Sequence, residues 1–237
     1  MNGAAQLGGL IFNLVEPFTG HETEFGRWYG TDHYYAGAMA GPGVVAGRCW
    51  QGTSAWTPDG VADVSRTFLG TFFLLAGALP AYQEWSADTH PWLAAAGRMF
   101  TQRRQVHRGR YSYARTLAGG EAAGPLSALD RDFPALLAVL ALPAAPGEQR
   151  LLATGPQALA GEGLDIAFNP AHGGYSELAP SEHHLVLGFR HVPAEAISPG
   201  QLDAAVRRIM ARSGQAAAWA GLFRPVPMHR LLVPDSA

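Results

Sequence analysis

EFGRWYGTDHYYAGAMAGPGVVAGRCW, residues Glu24 to Trp50, is the stretch on which the fold turns. Phe25, Trp28 and Tyr29 recur at i, i+3 and i+4, the spacing of one helical face. Asp32 and His33 follow one turn later, so a large ring and an ionisable group share that side of the helix. Pro42 and Gly43 stop the helix, and the chain from Val44 to Trp50 has the β-branched content of a strand carrying Arg48 and Trp50. An aromatic helix that ends in charge and turns into a strand suits a pocket wall better than a plain core.

Working outward, Gly9 to Glu16 (GLIFNLVE) reads as a strand that Pro17 ends. Thr19 followed by Glu22 has the spacing of a capping box, which predicts a helix from about Gly20 to Met39. Thr53 to Ala62 reads as a loop around Pro58, Asp59 and Gly60. Thr67 to Leu75 (TFLGTFFLL) is apolar throughout, as a strand buried on both faces would be. Leu79 to Ala96 is a second helix holding Tyr82, Trp85, His90, Trp92 and Leu93, with a kink expected at Pro91. A strand over Gln105 to Arg115 completes the order β-α-β-β-α-β, the split βαβ arrangement.

Beyond Leu117 the composition changes at Gly119, Gly120, Gly124 and Pro125. The predicted organisation is a ferredoxin-like unit over residues 1–117, a linker over 118–132 and a second, degenerate unit over 133–237. Pro134 to Leu142 reads as a strand or short helix, Arg150 to Thr154 and Gly163 to Phe168 as short strands, and Asn169 to Ser181 as a loop. His184 to Arg190 is a strand, and Ser198 with Pro199 opens a helix over Gln201 to Ser213. Leu222 to Leu232 reads as a terminal edge strand, because Pro225 and Pro227 argue against a central position. The fold class is therefore α+β, with ferredoxin-like units in tandem.

Composition bounds the function. The 237 residues are 48% apolar, carry a formal charge of -2 and are only 15% charged, so no polyanion partner is implied. Arg98, Arg103, Arg104, Arg108 and Arg110 cluster without forming a basic stripe, and a solvated strand face accounts for them, so nucleic acid is not an expected partner. Cys49 is the only cysteine, which rules out an internal disulfide and a cysteine-rich zinc site. The start, MNGAAQLGGLIF, lacks a signal peptide's basic segment, and the apolar run from Phe68 to Leu79 is too short to span a bilayer. A cytoplasmic protein with no membrane partner is the expectation. Lysine is absent, which removes Schiff-base and P-loop lysine chemistry, and neither G-x-G-x-x-G nor G-x-S-x-G occurs.

The opening stretch resembles the dimeric α/β-barrel superfamily, in its EthD-like and polyketide-cyclase-like branches. The resemblance rests on Glu24, Phe25, Trp28, Tyr29, His33, Pro42, Gly43 and Arg48, in the order E-F-x-x-W-Y-x-x-x-H, then P-G, then R. It covers about 45 residues well and extends to about residue 115. Tyr34 and Tyr35 depart from the pattern, since relatives often carry a small apolar residue and proline there. The resemblance implies a barrel made by pairing two sheets, within one chain or across a homodimer, and a pocket between sheet and helices. It also implies cofactor-free monooxygenases, cyclases, dehydratases and decarboxylases as the functional range, with haem binding in related two-copy chains.

Several residues are candidates for a site. His33 has the unperturbed acidity of a general base. The plainer reading is a histidine closing a helix end. Tyr35 and His107 are its expected polar partners, and Arg48 is the cation for an anionic intermediate. Trp28, Tyr29, Tyr34, Trp50, Trp85, His90, Trp92 and Tyr111 are expected to line an apolar pocket, although each aromatic alone reads as core. The split fold would let His33, His90 and His107 approach one pocket. For metal, His183 and His184 point to opposite faces of a strand, leaving only Glu182 with His184 or His172 with Glu177, so none is expected. A non-covalent haem on His172, His184 or His191 is the alternative cofactor. The expected function is a small enzyme moving protons, without a cofactor, on an apolar aromatic or polyketide-like molecule. Cofactor-free oxygenation and simple binding of an apolar ligand are the alternatives.

Overall fold

A computed structural model describes residues 5–118, 125–129, 131–142, 163–178, 183–213 and 216–226. Its strands are β1 (Leu7–Pro17), β2 (Val44–Thr57), β3 (Gly60–Asp63), β4 (Phe68–Leu75), β5 (Arg103–Ala118), β6 (Ala135–Ala141), β7 (Gly163–Ser176), β8 (His184–Arg190) and β9 (Ala217–Pro225). Its helices are α1 (Glu22–Trp28), α2 (Leu79–Ala95), α3 (Pro125–Leu129) and α4 (Pro199–Ser213). Two π-helical segments, Tyr29–His33 and Tyr35–Met39, continue α1.

All strand pairings are antiparallel, in the order β3-β2-β4-β1-β5-β7-β8-β6-β9. A further pairing of β9 with β2 closes the sheet into a barrel. Numbered within each half, β2-β4-β1-β5 and β7-β8-β6-β9 both run second-third-first-fourth, the order of a ferredoxin-like unit. The tandem α+β reading therefore holds, and the barrel closes within one chain without a second copy.

Alternation along the strands divides the packing into layers. Leu10, Phe12 and Leu14 of β1 point into the barrel with Trp50, Phe73, Phe168, Phe189 and Phe223. Ile11 and Val15 point outward, under the first helical layer with Phe25, Tyr29, Phe72 and Tyr82. Ala135, Leu137, Ala167 and Val186 form the outer face of the second half and meet Leu202, Ala205 and Val206 of α4. β4, apolar on both sides, is buried on both sides as its sequence requires.

The structure corrects several local expectations. Thr53 to Ala62 is not a loop: β2 runs to Thr57 and turns at Pro58 and Asp59 into β3. Asn169 to Ser176 belongs to β7, which bulges between Ala171 and Tyr175 where it faces β5. β9 is not an edge strand, because Pro225 is its last residue, where the ladder to Trp50 ends and no interior donor is lost. Thr19 does not cap α1; its hydroxyl accepts from Arg66, and Glu22 instead accepts from the Gly20 amide. α2 continues through Pro91 to Ala95. Ser198 does form a capping box, exchanging hydrogen bonds with Gln201 at 2.8 and 3.3 Å. The Arg150 to Thr154 strand and the stretch of Leu222 to Leu232 beyond Val226 lie outside the described residues.

Trp50 shows what the barrel interior asks of a side chain. It is fully buried against Phe189, and its indole N–H donates to Thr71 Oγ1 at 3.0 Å. Trp50→Phe keeps the ring but removes that donor and part of the volume, so unfolding free energy should fall by about 1–3 kcal/mol in urea titration.

Candidate functional site

Two polar clusters stand out, and they lie on opposite faces of the first sheet. The first sits between the sheet and the helices. Its roof is the wide π-helical run, a backbone form that recurs at functional positions. Tyr29, Gly30 and His33 are buried there. His33 stacks on Trp28 at 4.4 Å between ring centres, on Tyr29 at 5.7 Å and on His90 of α2 at 5.7 Å. Gly37 makes this possible, since a Cβ there would lie 2.4 Å from His33 Nδ1.

The floor is formed by β4, β1 and β5. Gly70, Asn13 and Arg108 lie side by side across these strands. Gly70 leaves space for Tyr29, whose hydroxyl would lie 2.1 Å from a Cβ at that position. Three buried atoms on this face have no hydrogen-bond partner: Asn13 Oδ1, Tyr29 Oη and His33 Nδ1. Buried polar atoms are almost always paired, so these three mark a place for a ligand or water. Arg103 lies over the Trp28 ring at 5.0 Å. No carboxylate among the described residues pairs with Arg103, and burial pulls its pKa down.

The histidines here are neutral. Burial pushes His33 down to about 3, with the Arg103 and His90 charges adding to the effect. His90 is lowered by burial too; it bonds Ser86 Oγ at 2.9 Å and the Gly37 carbonyl, which fixes its ring. Burial raises the Tyr29 hydroxyl and holds it protonated. An unpaired imidazole nitrogen, a phenol, an amide oxygen and a guanidinium without a carboxylate partner among the described residues thus share one aromatic-walled face. This set of groups has the chemistry to hold an acidic group and exchange a proton with it.

The second cluster lies inside the barrel. Ser176 Oγ meets His107 Nδ1 at 2.8 Å, His107 Nε2 meets the Tyr111 hydroxyl at 3.0 Å, and that hydroxyl meets His183 Nε2 at 2.6 Å. His107 also stands edge-on to Phe12, an interior residue. The expected convergence of His33, His90 and His107 therefore fails. His33 and His90 meet, but His107 pairs across from Leu14 and points through the other side of the sheet.

Other expected site residues separate as well. Tyr35 is 59% exposed, because the π-helical turn carries it to solvent, so it cannot partner His33. Trp92 is equally exposed, over Arg98. Arg48 lies on the Trp50 side of β2 and is held by the Arg131 carbonyl and Asp132 at the barrel end, away from His33. Trp50 and Tyr111 are barrel core. Tyr34 donates to the Gly47 carbonyl, and Trp85 packs on Tyr82. Asp32 is paired with Arg98, whose carbonyl also accepts from Trp28 Nε1 at 2.7 Å. Cys49 is buried and its thiol raised by burial, as a small apolar residue would be.

Asn13, Arg103, Arg108 and His183 join these clusters without having been singled out for them. Asn13 carried a signal: it is the lone polar residue within GLIFNLV. Among the described residues, no group of three metal-ligating side chains forms, and no helix is long and apolar enough to cross a membrane. His183 and His184 do point to opposite faces, with His183 on Tyr111 and His184 bonded to the Phe168 carbonyl. His191 is exposed against Phe133, and Glu182 lies outside the described residues.

No family model matches the chain, and no curated protein does. Solved structures do align along nearly its whole length. A heme complex of a DypB variant from Rhodococcus jostii RHA1 matches with a TM-score of 0.55 at 10% identity, covering 96% of each chain. The encapsulated DyP-type peroxidase from Mycobacterium smegmatis matches at 0.52 and 10%, over 95% of this chain and 94% of that one. A chlorite dismutase-like protein matches at 0.50 and 11%, over 95% and 98%. These likenesses establish the fold, a ferredoxin-like dimeric α/β-barrel, and at such identities nothing narrower.

Proposed function

We propose that the buried polar face between the π-helical run and the sheet binds an apolar, aromatic small molecule with an acidic group, and that His33 moves a proton on it. The observation that carries this reading is the set of unpartnered buried atoms, Asn13 Oδ1, Tyr29 Oη and His33 Nδ1, beside an unpaired Arg103. Burial is the main cause of the low His33 basicity and the Arg103 charge the second, so an anion against Arg103 removes the second contribution and raises His33 basicity when the ligand is bound. The reaction class is proton abstraction next to a carbonyl, leading to cyclisation, dehydration or lyase cleavage. Capture of oxygen by the same carbanion is the oxidative variant. Neither route needs a cofactor or a second chain.

Phenylpyruvate has the aromatic ring, carboxylate and enolisable carbon this face calls for. It should quench tryptophan fluorescence saturably through Trp28, and Arg103→Ala or Asn13→Ala should weaken it by about tenfold, the loss of one charge-assisted or buried hydrogen bond. Unchanged affinity in both variants would move the ligand elsewhere. A second reading rests on His184, whose Nδ1 is buried and unpartnered while its other nitrogen bonds a carbonyl, the arrangement of an oriented metal-ligating histidine. It would hold a haem, which supplies redox chemistry when bound. A Soret band in the purified protein that His184→Ala abolishes would favour it.

A further inference from the structure

The barrel-interior chain of Ser176, His107, Tyr111 and His183 has no part in the His33 site. It borders a cavity of about 210 Å³ at the bulge where β7 leaves β5. We propose that this cavity is a second binding site, for a small carboxylate, entered between Arg108 and Arg110 and read at its inner end by the hydrogen-bonded His107–Tyr111–His183 chain.

Size sets the ligand class. A cavity of about 210 Å³ equals about seven liquid-water volumes, which is room for a carboxylate of a few carbons. Charge sets its sign. Arg108 and Arg110 are both in the lining, and Glu177, the acid closest in sequence to the bulge, is already bonded to Arg104 and Tyr175. Donors set its orientation. Gly109 keeps the way open between the two interior rings, since a Cβ there would lie 2.2 Å from the Tyr111 ring and 2.7 Å from His107 Nε2.

The chain itself is built for switching. Tyr111 has one proton and two imidazole neighbours, so it donates to one and accepts from the other. Reversing the direction of every bond moves one proton's worth of charge from one end to the other with no side chain leaving its place. When Tyr111 donates to His183 Nε2, His183 carries its proton on Nδ1 and offers the donor a carboxylate needs. In the reverse arrangement Nδ1 is an acceptor, so a carboxylate selects the first arrangement. Burial and the neighbouring His183 hold His107 neutral without a ligand, and the groups facing it are Ser176 from β7, Tyr111 from its own strand, His183 and the apolar Phe12 from β1.

The test is a titration of the full-length protein with acetate, following the imidazole resonances of His107 and His183 by NMR. Acetamide, neutral and of the same shape, is the control. The expected result is saturable movement of both imidazoles with acetate only, weakened about fivefold or more in the exposed-rim variant Arg108→Ala and in Tyr111→Phe, which keeps the ring. No saturable movement in a protein whose amide spectrum is native would overturn the proposal. So would equal movement with acetamide, or an acetate response that Arg108→Ala leaves intact. Because Arg108 borders both clusters, His33→Ala serves as the discriminating background, and it should leave the acetate response unchanged.

Discussion

Unfolding free energy should fall by about 2–3 kcal/mol for each of His33 and His107 between pH 7 and about pH 4.5, because over the roughly two pH units below 6.5 the unfolded imidazole binds a proton that the folded one does not. Both imidazoles are held down to about 3 in the folded chain, chiefly by burial. In the unfolded chain they titrate at the ordinary value of 6.5. Below that value the unfolded state takes up protons the folded state refuses, so the stabilising contribution is complete above 6.5 and is lost on the way down to about 3. His90 and His184, also lowered by burial, act in the same direction. The carboxyls of Glu16 and Asp32, held down with help from arginine hydrogen bonds, begin to contribute only at the acid end of this window. Urea titrations of the His33→Gln and His107→Gln variants at both pH values check the assignment, since each should flatten the pH dependence by its own share. A slope that neither variant changes would place the acid sensitivity elsewhere.

Arg190→Met should destabilise the protein by about 3–5 kcal/mol, the usual effect of stranding one member of a buried ion pair. Arg190 and Asp165 meet at 2.6 Å, and their side chains are 1% and 2% exposed. The pair lies on the outer face of β7 and β8, since Leu164 and Ile166 on either side of Asp165 point into the barrel. Burial raises the Asp165 carboxyl even with Arg190 present. Without the guanidinium it rises further and holds a proton that the unfolded chain gives up, so the variant's defect should shrink as pH falls and grow as pH rises. Asp165→Asn combined with Arg190→Met should recover much of the loss, because the pair's own net contribution is small. Chemical denaturation of the three variants at pH 5 and pH 8 measures both effects. A double variant no better than Arg190→Met would show that the arginine matters through other contacts.

Much of the architecture was legible in residue order. The strand GLIFNLVE, the aromatic helix face of Phe25, Trp28 and Tyr29 and the apolar TFLGTFFLL run are local signals, and each became the element its period predicts. The errors arose where distant partners decide. Thr53 to Thr57 stays extended because β9 and β3 both pair with it, and Asn169 to Ser176 because β5 does. β9 looked like an edge from its prolines, and became a barrel seam because Pro225 falls at its end.

Half of the site was visible in the same way. His33 and the rings beneath it share one helix, so spacing brings them together. A histidine on a strand does not announce which face it takes, so residue order alone does not separate His107 from the side of the sheet that His33 occupies. A bulge at Val106 sets that face: Leu14 pairs with His107 but Val15 pairs with Gln105. Arg103, read as part of a solvated row, instead lies over Trp28. The π-helical turns could not be anticipated either, and they are what turns Tyr35 out to solvent.

The most direct test of the central claim is deuterium incorporation at the enolisable carbon of phenylpyruvate in D₂O, followed by proton NMR with wild-type protein and His33→Ala side by side. Wild-type protein should accelerate exchange over buffer, and His33→Ala should lose about a hundredfold or more of that acceleration, the typical share of a general base. An undiminished rate in His33→Ala, in protein that still binds the probe, would contradict the assignment of His33 as the proton-transferring group.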